Sequence, residues 1–146
     1  MPKRIALLMV PPLLAFGAAT GLGAPPSGAA TYTSCASLRG LDLAGQTDAL
    51  GGCSAPTGGS GTFTGPLSSP LTLTWSGGGT TTVSFAVKTY KKTKCPGGAT
   101  ELALTGHATA STAPAQTIRG MFFAHVCVDQ NDQLSLLPGK PLLLQS

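Results

Sequence analysis

The sequence predicts an all-β fold, an antiparallel β-sandwich or partly closed barrel of about seven or eight short strands with two disulfides. Three observations carry this. Apolar residues alternate with Thr and Ser in several short runs, the period of a strand with one covered face. Gly and Pro, 20 and 12 of 146 residues, punctuate those runs at the spacing of turns. Four cysteines, Cys35, Cys53, Cys95 and Cys127, follow a leader that sends the chain to where cysteines pair.

The leader occupies residues 1–30. Lys3 and Arg4 form a positive start, residues 5–16 are apolar apart from Pro11 and Pro12, and Gly28-Ala29-Ala30 offers small side chains for cleavage after Ala30. The apolar run is short of the about 20 residues a membrane helix needs, so no membrane span is expected once it is removed. Tyr32-Thr33-Ser34 before Cys35 lacks the aliphatic residue of a lipid-attachment site. The expected product is a single β domain, residues 31–146, either secreted or associated with the cell envelope. Of nine basic residues, the loss of Lys3 and Arg4 leaves seven against five acidic, a net charge of about +2. Charged residues are 10% of the chain, against roughly 25% in an ordinary domain, which argues against a nucleic-acid partner.

Taken in order, residues 32–38 read as a first strand ending near Gly40. Residues 41–50 show no clean period and read as loop or irregular strand. Residues 51–61 read as a Gly/Pro/Ser-rich loop inside the domain. The clearest unit is a hairpin. Leu71, Leu73 and Trp75 alternate with Thr72 and Thr74, Ser76-Gly77-Gly78-Gly79 turns the chain, and Val83, Phe85 and Val87 then alternate with Thr82, Ser84 and Lys88. Trp75 reads as core, with an exposed sugar-stacking ring as the functional alternative. Residues 100–110 place Leu102, Leu104 and Gly106 on one face. Residues 117–129 are apolar on both faces, with Phe122, Ala124, Val126 and Val128 against Met121, Phe123, His125 and Cys127, which predicts a strand covered on both sides. Gln130-Asn131-Asp132 reads as a turn into a strand at 134–137, which Pro138-Gly139 ends.

Four cysteines can pair in three ways. Sequential pairing, Cys35–Cys53 and Cys95–Cys127, is expected because shorter loops close more readily. Chain entropy makes such bridges worth about 3 and nearer 4 kcal/mol respectively. No C-x-x-C occurs, and neither histidine lies at zinc-finger spacing from a cysteine pair, so no metal or other cofactor is expected.

Gly58-Gly59-Ser60-Gly61-Thr62-Phe63, Pro70-Leu71-Thr72-Leu73-Thr74-Trp75 and Gly79-Thr80-Thr81-Thr82-Val83 resemble a group of uncharacterised small secreted four-cysteine β-rich proteins of actinobacteria. Cys95, Leu102-Ala103-Leu104-Thr105-Gly106 and Cys127 fall where that group has similar elements. The resemblance spans roughly residues 33–137. It implies a β-rich exported domain and brings no catalytic residues with it.

Catalytic motifs are scarce. His107 and His125 are the only histidines; His107 reads as solvent-facing and His125 shares a strand face with Cys127. A triad needs a third group brought close by the fold. Ser60 lacks the framing glycine of a nucleophile elbow. Asp129 and Asp132 lack the turn glycine and closing glutamate of a calcium loop. The remaining carboxylates, Asp42, Asp48 and Glu101, show no local pairing for glycoside chemistry.

One electrostatic feature remains. Lys88, Lys91, Lys92 and Lys94 crowd together around Tyr90 just before Cys95. Such a patch could hold an anionic envelope polymer, an acidic lipid surface or a partner protein. The plainer reading is a solvated strand end that keeps the protein soluble and blocks edge pairing. The expectation is a non-enzymatic binding or structural module. The rivals are a small hydrolase using His125 or His107 and a protease-inhibitor-like module presenting residues 51–61 or 93–98.

Overall fold

The computed structural model describes residues 30–146. The leader expected at 1–30 falls, but for Ala30, outside the described residues. Nine strands form one antiparallel sheet: β1 (Tyr32–Leu41), β2 (Thr47–Cys53), β3 (Ser60–Thr64), β4 (Leu71–Trp75), β5 (Thr80–Thr89), β6 (Thr100–Ser111), β7 (Met121–Val128), β8 (Gln133–Leu136) and β9 (Leu142–Gln145). Each of β1 to β7 pairs with the next, except that β7 meets β1 only through β8 and β9.

Those last two strands close the sheet. β8 pairs Leu134 and Leu136 with Val128 and Val126 of β7, and reaches Gly40 and Leu41 of β1. β9 pairs Leu143 and Leu144 with Phe123 and Phe122 at the other end of β7, and Leu142 to Gln145 with Cys35 to Tyr32 of β1. They lie end to end, separated by Pro138-Gly139-Lys140-Pro141, and together complete an eight-strand barrel that carries one strand more than eight. Proline at both ends of this break removes ladder donors and forces the interruption. The barrel form of the expected fold is the one realised.

An eight-strand barrel is just wide enough for side chains to fill it. Here the filling is Leu38, Leu50, Phe63, Leu71, Leu73, Trp75, Val83, Leu104, Ile118, Phe122, Val126, Leu134 and Leu144, each under a tenth exposed. Trp75 is core, as the sequence suggests. Its indole N–H donates to Thr81 Oγ1 at 2.9 Å, and the Ser111 hydroxyl donates to the same oxygen at 3.0 Å. Gly61 faces Trp75 across β3 and β4, where any Cβ would collide with the indole. Cys35–Cys53 crosses β1 and β2 inside this core, at directly opposed positions.

Two expectations are corrected and one is resolved. Residues 41–50, read as loop or irregular strand, are both: a turn follows β1, and β2 begins at Thr47 and continues through Gly51 and Gly52. Gly52 takes φ 60° inside that strand, and the inward-facing positions change parity between Leu50 and Cys53, which hides the period of 2. Residues 51–61 are therefore not one loop: Gly51 to Cys53 belong to β2, Ser60 and Gly61 to β3, and only the short turn between is free of strand. Val87 is not in the core, being 51% exposed. β4 ends its pairing at Leu71 opposite Val83; Phe85 still packs against the core beside Phe122, but from Ala86 to Thr89 β5 runs past the rim and is exposed.

The expectation that β7 is covered on both faces holds over part of its length. Outside the barrel, Cys127 packs with Cys95, Leu137 and Ala99 in a second small core, while Met121 at the other end of the same face is 41% exposed.

Candidate functional site

The lysine-rich segment lies at the far end of the β5–β6 hairpin, against the outer face of β7. Strand register builds it. Lys88 pairs with Ala103, which pairs with His125, so these three share one row of the outer face. One row further, the Tyr90 N–H donates to the carbonyl of Glu101 at 3.0 Å, and Glu101 pairs with Cys127. Lys88 Nζ stands 5.2 Å from the centroid of the Tyr90 ring. Tyr90 stacks on His125 with centroids 6.0 Å apart and planes 24° from parallel. A cation over an aromatic face and a stacked pair each add a modest attraction that fixes these side chains relative to one another.

Glu101 anchors the arrangement from below. It is 3% exposed, and its two oxygens have different partners: Oε1 lies 3.1 Å from His125 Nδ1, and Oε2 accepts the Lys94 backbone N–H at 2.8 Å. That backbone donor, with His125 in support, holds the carboxyl below the usual glutamate range against the opposing effect of burial. Residues 93–98 are pinned twice more, by the Cys95–Cys127 disulfide and by Thr93, whose hydroxyl donates to the Ala99 carbonyl at 2.6 Å and accepts the Cys95 N–H at 2.9 Å. Lys88, Lys91, Lys92 and Lys94 are all exposed. Among the described residues the carboxylate contact within salt-bridge distance is His125–Glu101, and the four lysine ammonium groups have no carboxylate partner.

The fold thus brings together Lys88, Tyr90 and His125 and adds Glu101, a residue whose role the sequence does not disclose. Glu101 and His125 meet only through the pairing of β6 with β7, at a separation of 24 residues. His107 lies elsewhere, exposed on β6 opposite Ser84 and Met121, beside an open depression that also contains Ser69 and Phe85. His125 sits on an open face, 35% exposed, with Tyr90 across its ring. Asp129 and Asp132 form a turn: Asp129 Oδ1 accepts the N–H groups of Asn131 and Gln133 at 2.8 and 2.9 Å. No cluster of three or more metal-binding side chains occurs among the described residues. No described helix is long and apolar enough to cross a membrane.

A second buried carboxylate lies at the opposite side of the barrel wall. Asp48 of β2 is fully buried; Oδ1 accepts the Leu41 N–H at 2.7 Å and Oδ2 has no partner among the described residues. Burial pushes its carboxyl up, the Leu41 N–H opposes this, and the charge of Asp42 adds to it.

Comparison with protein-family models, curated proteins and solved structures finds no match to this chain.

Proposed function

We propose that this is a secreted, non-enzymatic binding module, acting at the cell envelope or in the medium, that holds an anionic partner on the tip of the β5–β6 hairpin. The observation that carries this reading is the set of four unpaired lysines mounted on a fixed base. A merely solvated strand end needs no buried carboxylate, stacked ring pair and disulfide beneath it, whereas a binding surface gains from being ordered in advance. Clustered like charges at one pole create a local field that a mature net charge of about +2 does not suggest, and such a field steers and retains anions in a salt-dependent way. The two disulfides fit an oxidising setting. The resemblance to small exported actinobacterial proteins is consistent with the same setting.

The test is retention on immobilised dextran sulfate as salt is raised. The variant with Lys88, Lys91, Lys92 and Lys94 changed to Gln is expected to elute at clearly lower salt than the parent. Equal elution of the two would overturn the reading. The Glu101–His125 pair keeps a small hydrolase as the rival; turnover of a nitrophenyl ester that disappears in His125→Ala would favour it instead.

A further inference from the structure

We propose that the free edge of β5, at Val87 and Thr89, takes an extended acidic polypeptide segment as an added strand. This rests on the reading above and names the partner of the same pole.

A closed barrel ordinarily leaves no strand edge. This one leaves one, because β5 outruns its neighbour. β4 covers β5 as far as Val83, while β5 continues to Thr89 paired with β6 alone. The direction of the remaining backbone groups follows from register. Tyr90 donates its N–H to Glu101 directly across the ladder, so Lys88 and Ala86, at steps of two, also aim at β6. Phe85, Val87 and Thr89 aim the other way. The Phe85 N–H confirms the parity, since it leaves the barrel side and donates to Ser69 Oγ at 2.9 Å. Beyond it, the N–H and C=O groups of Val87 and Thr89 have no hydrogen-bond partner among the described residues. The whole segment from Ala86 to Thr89 is exposed.

These are two donors and two acceptors at the spacing an antiparallel or parallel strand requires, which is the recognition mode of strand addition. The flanking side chains specify what the added strand carries. Val87 lies on the inner face opposite Leu104, and is half exposed for want of a neighbour. Lys88 and Tyr90 lie on the outer face. A segment laid along this edge sets alternate side chains beside Val87 and beside Lys88, so apolar residues alternating with Asp or Glu fit both. Lys91, Lys92 and Lys94 extend the cationic surface past the strand end. The same charge rejects a second copy of this chain, since edge-to-edge pairing would bring one Lys88 against another.

The probe is a short capped peptide alternating Glu and Val, titrated into isotopically labelled protein. The amide signals of Val87 and Thr89 are expected to move and their hydrogen exchange to slow. Val87→Pro removes the outward N–H without touching the β6 ladder or any lysine, because proline is tolerated where a strand edge faces solvent. It should bind the peptide at least about tenfold more weakly while keeping parental retention on dextran sulfate. A peptide N-methylated at alternate residues supplies the same deletion from the other side and should also bind weakly to the parent protein. If Val87→Pro or the methylated peptide binds as well as its intact counterpart, or a Lys/Val peptide binds as well as the Glu/Val one, strand addition of an acidic segment is overturned while lysine-dependent retention stands. If retention ignores the lysines, the underlying reading falls instead. Dimerisation through Val87 without peptide would assign the edge to self-pairing and overturn the proposal.

Discussion

The two disulfides sit in opposite surroundings. Cys35–Cys53 lies within the barrel, between strands already joined by their ladder and surrounded by Leu38, Leu50 and Leu142. Cys95–Cys127 lies outside it, holding a turn against the back of β7 with only Leu137 and Ala99 for company. The inner bridge reinforces something that packing already determines. The outer one does what packing alone does not, keeping residues 93–98 over Glu101 so that the lysines stand on a firm base. One bridge belongs to stability and the other to the surface.

Substitutions that separate the two regions should show this. The largest effect is expected from Trp75→Ala, which empties the barrel and removes the donor to Thr81: a loss of about 3–5 kcal/mol, read from denaturant unfolding. Val87→Ala on the overhanging part of β5 should change stability by less than about 0.5 kcal/mol by the same measurement. Equal losses would mean that the overhang is part of the core after all.

Next come the bridges. Replacing both Cys35 and Cys53 by Ala should lower global stability by about 3 kcal/mol. Replacing both Cys95 and Cys127 should instead speed hydrogen exchange in residues 93–98 with the barrel amides still protected, and lower salt-resistant retention on dextran sulfate. Its global cost should fall short of the about 4 kcal/mol of chain entropy, since the turn can come loose while the barrel stays shut. Exchange accelerated throughout the barrel in the outer variant would erase the distinction.

A smaller effect than loss of either bridge concerns acid, and its sign differs between the regions. Asp48 has its carboxyl raised on folding, so its favourable contribution is full below the ordinary aspartate range and is lost as pH climbs through the raised value. Glu101 is lowered, so its contribution is full above the ordinary glutamate range and is lost as pH falls through the lowered value. Asp48→Asn keeps the acceptor for Leu41 and removes the buried charge; it should stabilise the protein by about 1 kcal/mol at neutral pH and by less in mild acid. Glu101→Gln should flatten the acid limb of loop protection in residues 93–98. Thermal melts and exchange across pH give both answers, and a destabilised Asp48→Asn at neutral pH would show that the charge is wanted.

Much of the wall was legible because its residues obey one period. The β4–β5 hairpin, the inward set of β7 and the turn at Asp129 to Asp132 follow from alternation and turn chemistry alone, and sequential disulfides follow from loop length. β2 was not legible, since Asp48 and two glycines occupy positions where a strand would show apolar residues. β3 begins in what composition marks as a loop, and Gly61 is there to make room for a Trp that is remote in sequence. Val87 continues the hairpin's alternation faithfully, yet its burial depends on the length of a different strand. At the candidate site the lysines and Tyr90 could be picked out by their crowding. Glu101 could not, because its importance arises from which residue of β7 stands opposite and from where the turn before η1 (Pro96–Gly98) places the Lys94 amide. Local rules find side chains that share a segment, and register finds those that share a row.

The seam between β1 and the pair β8–β9 has a bearing on biogenesis. Among the described strands β1 is made first, and two of its three partners, β8 and β9, are made last, with the Ser146 amide bonding back to the Thr31 carbonyl. A chain emerging from its amino end therefore carries an open β1 edge until β8 and β9 appear, and only then can the ring snap shut. Loss of the short strand at Leu142–Gln145 would leave that edge permanently unsealed, turning a closed cylinder into a template for aggregation.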